Sequence, residues 1–173
     1  QPHDPPEPGA LKDRLDGVSP RLQVGHRHLA EGRGDKVAYI DDDRQLTFAG
    51  LVAGTRKVAN ILEDLGTARE SRVCVLMHDT VDWPCVFLGA IRAGIIPVAL
   101  NTLLTTDQYK YMLSDSRSQV LFVSAALLPV VEPILGPHDT LSEAQWDGIC
   151  TALAPAMGDD QRNYLVIGTT FVV

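Results

Sequence analysis

A chain of 173 residues, 45% apolar and 21% charged, is long enough to bury one ordinary core and too apolar to remain unfolded. Its net charge of −7, with no cluster of Lys and Arg, argues against a nucleic-acid partner, because neutralising phosphates takes clustered cations. No apolar run reaches the roughly 20 residues of a membrane helix, so no membrane partner is expected.

Residues 1–20 open with Pro2, Pro5, Pro6 and Pro8, which suit neither a helix nor a central strand, and read as a flexible arm. The arm lacks the charged-then-apolar pattern of a signal peptide, so the expected address is the cytoplasm. Arg21–Glu31 has helical spacing, but His26 and His28 would point to different faces and make a poor metal pair. Gly32–Asp35 is a turn before a strand, not the glycine loop after one that a dinucleotide needs.

Lys36–Ile40, a turn at Asp41–Asp43 and Gln45–Phe48 predict a short hairpin. A strong helix over Ala49–Leu65 follows, with Leu51, Val58, Ile61, Leu62 and Leu65 on one face, Thr47 as N-cap and Gly66 as the stop. Arg72–Met77 reads as a buried strand and His78–Asp82 as a polar loop. A helix then starts with Asp82 as cap and Pro84 in its first turn, and Gly94 ends it. Ile95–Leu100 is the next strand, expected to begin late or run irregularly at Pro97, which cannot donate a ladder bond.

Thr105–Asp107 can cap a helix to Ser116, on which Tyr109 and Tyr111 face opposite ways. Gln119–Val123 is a further strand, and Ser124 should cap a helix to Leu135 bent by Pro129 and Pro133. Residues 21–135 therefore predict an α/β fold, a mostly parallel sheet flanked by helices with a short β-hairpin near its start. Residues 136–173 change character: a Gly136-Pro137 break, a capping box at Thr140 and Glu143 opening a helix over Leu141–Ala154, and a β-rich Tyr164–Val173.

The chain has no Walker-type Gly-x-x-x-x-Gly-Lys loop, no Gly-x-Gly-x-x-Gly between strand and helix, and no Gly-x-Ser-x-Gly elbow. Cys74, Cys85 and Cys150 lie in apolar elements without a Cys-x-x-Cys pair, so buried reduced thiols are expected and a metal site is not. The candidate site is the loop His78, Asp79 and Thr80, placed where a parallel sheet puts its ligand contacts, with Trp83 as a further wall residue. The competing reading makes the loop a plain connection capped by Asp79 or Asp82, and Trp83 a core residue.

GRGDKVAYIDDDRQLTF (Gly32–Phe48), the helix ending VANILEDLG, RVCVLMHDTVDWPCVFLGAIRAGIIPVALNTLL and YMLSDSRSQVLFVS together resemble the N-terminal region of adenylate-forming acid–CoA ligases, the benzoate–CoA ligase branch above all. The similarity runs from about Leu22 to Leu135. It implies the N-terminal subdomain of the acyl-CoA synthetase fold and a two-step reaction, in which a carboxylate and ATP give an acyl-adenylate, which coenzyme A then converts to a thioester. The family uses ATP, Mg²⁺ and coenzyme A.

The family's Ser/Thr/Gly-rich phosphate loop and catalytic lysine have no match in these 173 residues, and Gly50 stands where an acid is expected. The expectation is therefore a ligase portion that binds no cofactor by itself and is inactive alone, its partner being the rest of the ligase. The alternative is a non-catalytic binding or assembly module derived from the family. Either the ligase remainder or a self-association partner would dock through residues 141–173.

Overall fold

The computed structural model describes residues 26–118 and 120–135, together with the backbone of 139–140 and 163–167. The expected arm, the helix over Leu141–Ala154, Cys150 and residues 168–173 lie outside the described residues. Of the first expected helix, residues 26–30 are helical.

The hairpin forms as expected: β1 (Val37–Ile40) pairs antiparallel with β2 (Gln45–Thr47) in a two-stranded sheet of its own. Thr47 then starts α1 (Phe48–Asp64), its Oγ1 accepting a hydrogen bond from Gly50 N at 3.1 Å and satisfying a donor the helix end would leave orphaned. Leu51, Val58 and Leu62 are buried along the apolar face. Gly66 takes φ +69° just past the helix end, a conformation that lets the chain reverse without a Cβ clash.

Five strands make the main sheet, in the order β4-β3-β5-β7-β6: β3 (Arg72–Leu76), β4 (Ile96–Ala99), β5 (Val120–Ser124), β6 (Asp139–Thr140) and β7 (Asn163–Ile167). β3 pairs parallel with both β4 and β5, while β7 pairs antiparallel with β5 and β6. The expected parallel sheet is thus present at β4-β3-β5, and β7 adds antiparallel pairing on the far side of β5. Thr140, expected to cap a helix, pairs in β6.

Both faces of the parallel part are covered, which is why β3 and β5 read as continuous apolar runs. Val73, Val75, Met77, Val120 and Phe122 pack on one face against α1 and α2 (Asp82–Arg92). Cys74, Leu76, Leu121 and Val123 pack on the other against α3 (Thr106–Ser116) and the segment after β5. Tyr109 on α3 is buried and Tyr111 is exposed, as the spacing requires. Cys74 and Cys85 are buried and free.

Three expectations change. Pro97 does not delay β4: Ile96 N donates to Ser71 O and Leu100 N to Val75 O, so the alternation turns position 97 away from β3, where a missing N–H costs nothing. Ser124 makes no side-chain cap; its Oγ accepts from His78 N at 3.1 Å, and the chain continues as a 3-10 turn, a short helix α4 (Leu128–Val131) and another 3-10 turn. Asp82 is the first residue of α2, not its cap, because its carboxylate is bound elsewhere. No helix among the described residues is long and apolar enough to cross a membrane.

Candidate functional site

The helix after β3 lies on one face of the sheet, and the elements after β4 and β5 lie on the other. Adjacent strands whose connections leave to opposite faces open a crevice at their carboxyl ends, the usual ligand position in an open α/β sheet. Here that crevice is a cleft of about 700 Å³ between the ends of β3 and β5 and the hairpin turn. His78, Asp79, Thr80 and Ser124 form one wall, and Ile40 and Asp41–Asp43 form the other.

The structure thus brings three of the four expected site residues together. His78 and Asp79 are exposed, and Thr80 is half-buried. The loop is shaped by Thr80 N donating to His78 O at 2.8 Å and by the His78 N–Ser124 Oγ bond. Thr80 Oγ1 is sealed from solvent with no hydrogen-bond partner among the described residues. Trp83 does not line the cleft: it stacks on Phe87 at 4.8 Å between ring centroids and packs against the core. Neither Asp79 nor Asp82 caps α2.

The opposite wall holds what the sequence pattern hid. Asp41 is more than a turn residue. Its Oδ1 accepts from Asp43 N at 3.1 Å and from Arg44 N at 2.7 Å, and its Oδ2 accepts from Val81 N at 2.9 Å. Arg44 Nη1 and Nη2 donate to the two oxygens of Asp82 at 3.2 and 2.8 Å, and Nη2 also reaches Asp41 Oδ2 at 3.2 Å. A guanidinium fork matched to a carboxylate is among the stronger side-chain pairings, and here it is largely shielded from water. Burial works against the Asp41 carboxylate, but its three backbone hydrogen bonds and the Arg44 charge together hold its pKa below the ordinary value. Val81 and Asp82 lie 40 and 38 residues from Asp41 and Arg44 in sequence, so no local spacing announces those two contacts. The one hint is a single arginine closing the acidic run Asp41–Asp43.

Chemically, the cleft offers the His78 ring as a hydrogen-bond donor or acceptor and a rim of carboxylates at Asp42, Asp43 and Asp79, while the Thr80 hydroxyl stays turned inward. The described residues lining it include no lysine or arginine. Among the described residues there is no group of three or more His, Cys, Asp or Glu side chains arranged to hold a metal ion.

Comparison with known proteins places this architecture. The sequence profile of the family described as AMP-binding enzyme matches residues 26–164, running past residue 135 into the segment expected to differ. A 4-hydroxybenzoate–CoA/benzoate–CoA ligase of Rhodopseudomonas palustris is 52% identical over 106 residues, which are 61% of this chain and 20% of that protein. A benzoate–CoA ligase of Thauera aromatica is 44% identical over 116 residues, 66% of this chain and 22% of the relative. A crystal structure of a benzoate CoA ligase from Burkholderia xenovorans superimposes with a TM-score of 0.61 at 41% identity, covering 64% of this chain and 22% of that one. The chain therefore spans about a fifth of the length of these relatives. With most of its length matched by the family profile and its sheet shared with the ligase structures, the chain belongs to the AMP-binding enzyme family.

Proposed function

We propose that this chain supplies the first α/β subdomain of an AMP-forming aromatic-acid CoA ligase of the benzoate type, and that the 173 residues by themselves do not complete catalysis. The observation that carries the reading is the 52% identity over 106 residues to a 4-hydroxybenzoate–CoA/benzoate–CoA ligase. In such a ligase a carboxylate oxygen attacks the α-phosphorus of ATP and displaces pyrophosphate. The coenzyme A thiolate then attacks the acyl carbon and displaces AMP.

Within that scheme His78, Asp79 and Thr80 form a wall of the acid and nucleotide site, and Trp83 supports it from behind. Four aspartates line the cleft, and Arg44 is committed to Asp41 and Asp82. Phosphoryl and adenylyl transfer need cations placed around the phosphates. ATP, Mg²⁺ and coenzyme A would then be held mainly by groups outside this chain, and the partner is the rest of the ligase, in the cytoplasm where these cofactors are supplied. The test is pyrophosphate release by the purified chain with ATP, Mg²⁺ and benzoate. The reading expects none above a buffer control, and robust release would overturn it.

A second reading is a non-catalytic binding or assembly module, supported by β7, whose antiparallel pairing continues the sheet beyond β5. On that reading residues 141–173 close the sheet or carry self-association. Size-exclusion chromatography separates the two forms, since a clean monomer at high concentration counts against self-association.

A further inference from the structure

The two walls of the cleft belong to different sheets. Among the described residues β1 and β2 pair only with each other, so there no ladder of backbone hydrogen bonds fixes the hairpin turn against the loop after β3. The far end of the hairpin is tied to the start of α1 by Phe48 N to Lys36 O and Ala49 N to Gly34 O, at 3.0 and 2.9 Å. At the near end, the Val81 N–Asp41 Oδ2 bond and the Arg44–Asp82 fork cross directly from one wall to the other.

We propose that Asp41, Arg44 and Asp82 form a clasp that sets the position of the His78–Val81 loop, so that the hairpin turn is a positioning element for the cleft. The clasp grips the loop at its last residue, Val81, and at the first residue of α2. α2 itself is seated independently, by Cys85 against Gly54 and by Val58 against Gly89. Removing the clasp should therefore loosen the loop while α2 stays in place. Arg44 cannot be replaced by a lysine, whose single ammonium lacks the planar fork that spans both oxygens of Asp82. What the loop is for rests on the ligase reading; that it is held this way does not.

Hydrogen–deuterium exchange on the complete chain tests this without substrate. Asp41→Ala is expected to speed exchange of the Val81 amide by about tenfold or more, the scale of one lost charge-assisted hydrogen bond. Core amides such as Val58 and Val75 should stay within about twofold. Arg44→Lys should behave like Arg44→Gln at Val81. Asp41→Asn, which preserves shape, covers the case in which Asp41→Ala fails to fold, and should show the same local rise at smaller size. Unchanged exchange at Val81, or an equal rise at Val81, Val58 and Val75, would overturn the clasp. Because no ATP or acid is present, that failure counts against the clasp alone, and pyrophosphate release counts against the ligase reading alone.

Discussion

Arg44, at the end of the hairpin turn, holds Asp82, at the head of α2, through two hydrogen bonds of 3.2 and 2.8 Å across 38 positions of sequence. The Asp82 side chain is 7% exposed and that of Arg44 is 21%. Truncating one partner of such a pair leaves the other charged and poorly solvated. Because Arg44 keeps some water and its contact to Asp41, Asp82→Ala is expected to cost about 2 kcal/mol, below the range for a fully buried pair. Urea denaturation should show a lower midpoint with an unchanged slope.

Asp41 gives the fold an acid limb. Its pKa lies below the ordinary 3.8, so the stability it contributes is fully present above that value and is lost as pH falls through the lower folded value. Asp41→Asn should be less stable than wild type near neutrality and should show a flatter loss of stability on acidification. Urea midpoints measured at several pH values below 5 compare the two, and parallel curves would contradict the assignment.

The contact of α1 with α2 admits no extra carbon. A Cβ on Gly89 would lie 2.5 Å from Val58 Cβ and 3.1 Å from Thr55 O, and one on Gly54 would lie 2.6 Å from Cys85 Sγ. Gly89→Ala is expected to cost about 1–3 kcal/mol through forced separation of the helices. The double variant with Val58→Gly should cost less than the sum of the two single changes, because the Val58 Cβ and Cγ1 that would meet the new methyl are both gone. Additive costs would place the strain elsewhere.

Burial pushes the Cys85 thiol up to about 12, with the nearby Asp82 charge adding to the effect, and burial raises Cys74 as well. The thiolate is the reactive form. Peptide mapping after iodoacetamide treatment at pH 8 should find Cys74 and Cys85 unmodified in the native protein and modified in urea.

The order of strands and helices from Val37 to Ser124 was legible because each element carries its own signal: Thr47 and Gly66 around α1, the unbroken apolar run of β3, the alternating faces of Tyr109 and Tyr111. The loop His78–Thr80 could be placed at the carboxyl end of β3 for the same reason. Misreadings arose where a side chain had both a local and a distant use. Ser124 and Asp82 have the chemistry of helix caps, yet His78 N and Arg44 claim them through the tertiary fold. Pro97 looked disruptive because which way its nitrogen faces depends on register with β3. For Trp83 both a wall and a core reading stood in the sequence, and helical geometry turns it onto Phe87 and the core.

If this segment is a working first subdomain of an aromatic-acid ligase, it should serve in place of the same segment of a relative. The most direct measurement replaces the matching segment of the Rhodopseudomonas palustris relative with residues 26–135 of this chain and assays benzoyl-CoA formation. A folded chimera active within about tenfold of the parent is expected, a difference of roughly 1.4 kcal/mol in the barrier. A chimera that folds and binds nucleotide but forms no benzoyl-CoA would contradict it.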